Sequence, residues 1–126
     1  VHRRPLSAIG TDIIVGFPSE DEEDFMQTYR LLEELPIAYM HIFPYSDRPF
    51  TKASKMEGKV PSKVKEERVD MLKDLDKRKR EEFYKKNLGK ELRATVIEKD
   101  RLLTENYIHL ERYVEGNIGT VVKIKV

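Results

Sequence analysis

The chain has 126 residues, of which 37% are charged and 39% hydrophobic, with a formal net charge of +1 and no cysteine. That length suffices for one ordinary domain, or for a part-domain plus a small module. The lack of thiols excludes disulfides, a thiolate nucleophile and any thiolate-held metal or cluster within these residues, no apolar run approaches the roughly 18 residues of a spanning helix, and no secretory signal is read, all of which points to a soluble, cytoplasmic chain.

The small net charge hides an asymmetry. Residues 1–60 carry 7 Lys/Arg against 10 Asp/Glu, giving −3, and residues 61–126 carry 17 against 13, giving +4. The first predicted strand is Ile9–Phe17, apolar and β-branched apart from Gly10, Thr11, Asp12 and Gly16. It lacks clean alternation, which predicts a strand covered on both faces, as in a parallel sheet. Pro18 breaks it. Ser19 with Glu22 reads as a capping box, and the five acids Glu20–Asp24 suit the positive end of a helix dipole. Phe25, Tyr29 and Leu32 recur at helical spacing up to Leu35, where Pro36 ends the run. In Ile37–Tyr45 an extended backbone places Tyr39, His41, Phe43 and Tyr45 on one face and Met40 and Ile42 on the other. Strand, helix and strand of this length predict a parallel crossover, with functional groups at the strand ends Gly16–Ser19 and Pro44–Arg48. Two strands cannot complete such a sheet, so residues 1–60 read as the tail of a larger α/β domain.

Residues 46–61 read as a loop. Ser62 starts a long helix to about Asn87, with Val64, Met71, Leu72, Leu75 and Phe83 as a narrow apolar stripe and Gly89 as its stop. The segment Lys77–Arg93 holds 8 basic and 3 acidic residues, which suits either a polyanion or a solvated helix face. After it, "ELRATVIEKD", "RLLTENYIHLERYVE" and "GTVVKIKV" read as strands parted by turns at Lys99–Asp100 and Glu115–Asn117. The fold class changes from α/β to all-β near residue 88.

In this order, "GTDIIVGFPSEDEEDF", "HIFPYSDRPFTKASKM" and "VPSKVKEER" resemble late-barrel blocks of the radical S-adenosylmethionine methylthiotransferases, and the β segment resembles their TRAM domain. The resemblance implies an α/β fold: the C-terminal strands and helices of a partial (β/α) barrel with the long helix in residues 1–87, then a small all-β TRAM-like RNA-binding barrel in residues 88–126. It also implies that the chain is the C-terminal part of a longer enzyme, with the N-terminal part of the same protein as a partner. "TENYI" at Thr104–Ile108 is similar to the branch that adds a methylthio group to carbon 2 of threonylcarbamoyladenosine beside the tRNA anticodon, with the isopentenyladenosine branch as the alternative. The family holds S-adenosylmethionine and two 4Fe-4S clusters, one on a CxxxCxxC motif. None of those cysteines is in this chain, so it is expected to be inactive alone, with no catalytic and no metal-ligating residue of its own.

On that resemblance, Gly10, Asp12, Gly16, Phe43, Pro44 and Tyr45 are candidate contacts to the adenosyl portion of the cofactor. The residues themselves leave another reading open: close strand packing at the glycines, an ion pair at Asp12 and an aromatic core at Phe43 and Tyr45. His41 reads as a hydrogen-bonded core histidine, and His2 and His109 form no metal spacing. Candidate RNA contacts are Arg48 on the rim loop, where Lys52 also lies, then Lys77, Arg78, Lys79, Arg80, Lys85 and Lys86 on the helix, and Arg93, Asn106, Tyr107, His109 and Arg112 on the β segment. Basic groups bind phosphate, and an exposed Tyr or His stacks on an unpaired base. Of Tyr107 and Ile108, one must point inward. The rivals to the enzyme reading are a stand-alone RNA-binding module and a chain whose orphan strands pair with another copy.

Overall fold

The computed structural model describes residues 6–126. Its elements in chain order are β1 (Gly10–Val15), α1 (Glu22–Glu34), β2 (Tyr39–Pro44), a short 3-10 turn (Ala53–Lys55), α2 (Ser62–Asn87), β3 (Glu91–Glu98), β4 (Arg101–Thr104), β5 (His109–Glu111) and β6 (Val121–Lys125). Two compact units form, residues 9–80 and residues 81–126 with 6–8, the division falling inside α2. His2 lies outside the described residues.

In the first unit β1 and β2 pair in parallel, from Gly10 opposite Tyr39 to Val15 opposite Pro44. Val15, Met40, Phe25, Leu32, Ile37, Leu72 and Leu75 form the core between this ribbon and the two helices. The expected coverage of β1 on both faces is corrected: Thr11, Ile13 and Val15 turn inward, while Gly10, Asp12 and Ile14 are exposed. Ile14 is 61% exposed, so the apolar content of that strand exceeds what this unit buries. The helix cap is also corrected. Ser19 has φ +71° and lies before the helix, whereas Asp21 is the N-cap: its carboxylate accepts from the Asp24 N–H, and Asp24 accepts in return from the Asp21 N–H. Along α2, Leu72 and Leu75 are buried, but Met71 points outward at 40% exposure and leaves the expected stripe.

In the second unit four antiparallel strands run in the order β5-β4-β3-β6. Alternation along β3 sends Leu92, Ala94 and Val96 inward to meet Leu102, Ile108 and Leu110, with Phe83, Val122 and Ile124 packed alongside. Gly89, at φ +81°, supplies the left-handed residue that turns the chain out of α2, and its N–H donates to the Val126 carbonyl at 2.7 Å. The other sheet face is open. On it Arg93 stands opposite Lys123, and Leu103 opposite His109.

Candidate cofactor cleft and nucleic-acid contacts

The carboxyl ends of the two parallel strands meet where the Tyr45 N–H donates to the Val15 carbonyl at 2.7 Å. Beside that junction lies a cleft of about 450 Å³ whose lining includes Ile14, Phe43, Pro44, Tyr45, Arg48 and Thr51. Three expected cofactor contacts, Phe43, Pro44 and Tyr45, and one expected RNA contact, Arg48, therefore share one cavity. Its wall is apolar and aromatic, and Arg48 is the charged residue among its lining.

Tyr45 is fixed from several sides. Phe17 meets its ring edge-on at 5.4 Å, the Lys65 ammonium lies 5.9 Å from its centroid, and its hydroxyl donates to Asp47 at 2.8 Å. Lys59 closes the array with its ammonium 2.6 Å from Asp47. The Lys59 hydrogen bond first, and the Tyr45 hydrogen bond second, hold the Asp47 carboxyl below the ordinary carboxylate range. Desolvation first, then the Asp47 carboxylate, push the Tyr45 phenol up.

The turn between β1 and α1 reaches Tyr45 through the Phe17 ring. Arg68, on α2, donates to both the Glu20 carboxylate at 2.8 Å and the Glu20 carbonyl at 3.0 Å, and Glu20 in turn accepts from the Gly16 N–H at 3.1 Å. The Ser19 N–H donates to the Gly58 carbonyl at 2.7 Å, tying the 46–61 loop to the same turn. Arg68, Lys65, Asp47 and Lys59 all escaped the sequence reading. Each acts through a partner 12 or more residues away, and local spacing carries no sign of that.

The two glycines have physical accounts other than ligand approach. A Cβ at Gly10 would fall 2.1 Å from the Tyr39 ring, and one at Gly16 would fall 2.2 Å from the Lys65 stem. Side chains of the chain itself occupy the room the glycines leave, which is the close-packing reading of these two positions. Asp12 is exposed on the open face of β1 opposite His41 and joins no ion pair among the described residues. Water thus carries the solvation cost that an apolar strand would have imposed.

Two expected RNA contacts are buried and already paired. Lys79 is 8% exposed and its ammonium donates to the Glu33 and Leu35 carbonyls, where α1 ends. Asn106 is 3% exposed: its amide donates to the Leu6 carbonyl and Asn87 Oδ1, and its oxygen accepts from the Thr104 hydroxyl. Arg78 bonds the Tyr29 hydroxyl, and Arg80 grips Asp76, which itself accepts from the Met40 N–H at 2.7 Å. Lys77 in the first unit, and Lys85, Lys86, Arg93 and His109 in the second, are exposed. Arg112 is exposed but donates to the Lys125 carbonyl. Of the pair left open by sequence, Ile108 is buried and Tyr107 is 61% exposed at φ +66°. Lys123 joins Arg93 on the open sheet face; strand alternation from Val122 and Ile124 was the signal for it.

The chain holds no cysteine, and no group of three or more His, Cys, Asp or Glu among the described residues has a metal-holding arrangement. An iron–sulfur cluster therefore has no ligand set in these residues. No helix of the described residues is long and apolar enough to cross a membrane.

Comparison with known proteins gives the family. No protein-family model matches the chain. The chain belongs to the tRNA methylthiotransferases, as its relatives show. Over all 126 residues it is 61% identical to the threonylcarbamoyladenosine tRNA methylthiotransferase MtaB of Aquifex aeolicus, covering 100% of this chain and 31% of that protein. The MtaB protein of Treponema pallidum is 41% identical over 94% of this chain and 26% of its own length. A tRNA-2-methylthio-N(6)-dimethylallyladenosine synthase of Thermobifida fusca is 46% identical, but over 75% of this chain and 19% of its own length. The chain thus spans about a third or less of the curated relatives it matches.

Proposed function

We propose that this chain serves in a radical S-adenosylmethionine enzyme that adds a methylthio group to carbon 2 of threonylcarbamoyladenosine beside the anticodon of tRNA, in the cytoplasm. The observation that carries this reading is the 61% identity to an MtaB protein across every residue of the chain. Residues 9–80 are read as the last strand–helix–strand portion of a catalytic barrel, and the four-stranded unit as its TRAM-like RNA-binding barrel. The cleft at the strand ends would hold the adenosyl portion of S-adenosylmethionine. Its Phe43, Pro44 and Tyr45 wall suits the flat faces of adenine and ribose, and excludes water from them. When bound with a cluster, that cofactor supplies the radical chemistry. These residues have no thiolate to offer the clusters, so their own part is to bind and orient. Exposed cations supply the RNA contacts: Arg48 and Lys77 in one unit, and Lys85, Lys86, Arg93 and Lys123 with Tyr107 and His109 in the other.

The test is a nucleoside analysis of tRNA by mass spectrometry, in cells deleted for the intact protein and in cells with it restored. The expected result is that the methylthio derivative of threonylcarbamoyladenosine disappears and returns with the gene. Loss of the methylthio derivative of isopentenyladenosine instead would assign the protein to the other branch. No change in either nucleoside would reject the enzyme reading.

A further inference from the structure

The loop after β2 contains a residue in the wrong place for stability. Thr51 returns to Arg48 through its N–H at 3.4 Å and its hydroxyl at 2.9 Å, closing a four-residue turn with Pro49 second and Phe50 third. Proline second and a positive φ third define a type II turn, whose third position favours glycine. Phe50 occupies it at φ +66°. A bulky side chain pays conformational energy to sit there, and these residues bury none of it in return, because Phe50 is 97% exposed. The turn beneath is well tied: Ser54 donates to the Thr51 hydroxyl through its N–H and to the Thr51 carbonyl through its own hydroxyl. The ring is therefore displayed from an anchored base. Its neighbours in the chain include Arg48, which lines the cleft, and Lys52, followed by Lys55, while the one nearby acid, Asp47, is paired with Lys59.

We propose that Phe50 is a base-stacking residue, holding an unpaired nucleotide of the RNA at the mouth of the cleft while Arg48 and Lys52 take the adjoining phosphates. This rests on the RNA reading above and adds a specific contact to it. An aromatic ring flanked by cations is the arrangement that binds single-stranded nucleic acid, the ring taking a base face and the cations the backbone. A protein partner's apolar pocket would gain the ring equally well, but has no use for the cations on both sides.

The experiment compares the intact protein with Phe50→Gly and Phe50→Trp. It uses an RNA hairpin with an unpaired adenine-rich loop that carries 2-aminopurine, whose fluorescence is quenched on stacking, and follows thermal unfolding in parallel. Phe50→Gly is expected to raise the melting temperature, since glycine relieves the turn, yet to weaken RNA binding by roughly five- to a hundredfold and abolish the quenching. Phe50→Trp is expected to keep both affinity and quenching. A merely structural role cannot make a variant more stable and a poorer binder together. If Phe50→Gly binds as well as the parent, the stacking proposal fails and the RNA reading stands. If the parent itself does not bind the hairpin, both fail. Weakened binding without any quenching in the parent would overturn the stacking role, and leave Phe50 an anchor for a different kind of group.

Discussion

The Arg68 guanidinium and the Glu20 carboxylate form a short ion pair, 2.8 Å apart, with only 9% and 17% of their side chains exposed. The same guanidinium lies 5.5 Å from the Phe25 ring centroid, and the same carboxylate accepts from the Gly16 N–H. One pair thus binds the end of β1, the start of α1 and the side of α2. Replacing Arg68 by Ala leaves a half-buried carboxylate with its main partner gone, and is expected to cost roughly 3 kcal/mol. Urea unfolding measures it. In a double-mutant cycle with Glu20→Gln, a coupling energy near zero would refute a tight pair.

Lys79 and Lys77 are two residues apart on α2 and are expected to behave oppositely. Lys79→Met strands the carbonyls of Glu33 and Leu35, at an expected cost of about 1–3 kcal/mol in thermal or denaturant unfolding. Lys77→Ala should leave stability within about 0.5 kcal/mol. In RNA binding by the intact protein, Lys77→Ala should instead flatten the dependence of log affinity on log salt by somewhat less than one. Equal destabilisation by the two changes would contradict the burial described.

The second unit depends on a buried polar chain. Thr104 donates to Asn106, Asn106 to Asn87, and Asn87 to the Phe83 carbonyl. Asn106→Ala orphans the Asn87 oxygen and the Leu6 carbonyl, so the unit is expected to lose about 2 kcal/mol or more. Tyr107→Ala, by contrast, removes an exposed ring and should reduce RNA affinity without lowering the melting temperature. Circular dichroism melts of both variants decide the matter.

Asp47 gives the stability of the first unit a modest pH dependence. Its carboxyl is held below its ordinary range by Lys59 first and Tyr45 second, so it binds a proton less readily folded than unfolded. The linked stability is present above the unfolded pKa and is lost as pH falls through the lower folded value. The groups are exposed, so the effect is modest and weakened by salt. A carbon-detected NMR titration of Asp47 should show its pKa rising toward the ordinary range in Lys59→Ala. An unchanged midpoint would remove Lys59 as the cause.

The elements themselves were legible in the residues. Pro36 and Gly89 mark helix ends, and the helical recurrence of Phe25, Tyr29 and Leu32 gives one amphipathic face. The alternation of Met40 and Ile42 against His41 and Phe43 assigns the faces of β2. The N-cap was misread because Ser19 and Asp21 both begin sequences with an acid three residues on; the left-handed backbone at Ser19 decided for Asp21.

What the sequence determined alone is local: the order of strands and helices, the absence of thiolates, the basic bias after residue 61, and the family, because 61% identity over 126 residues is counted without reference to packing. Which charges are free to meet a ligand was decided only in three dimensions. Lys79 and Asn106 look like Lys77 and Tyr107 in a list of polar residues, yet the first two are consumed by carbonyls and amides brought near by folding. Burial and pairing are properties of contacts between distant residues, and they set the cost of freeing a polar group, which residue type does not reveal. Phe50 is the converse case: nothing in its letter marks it out, and only its turn and its exposure show a ring held away from both cores of the described residues.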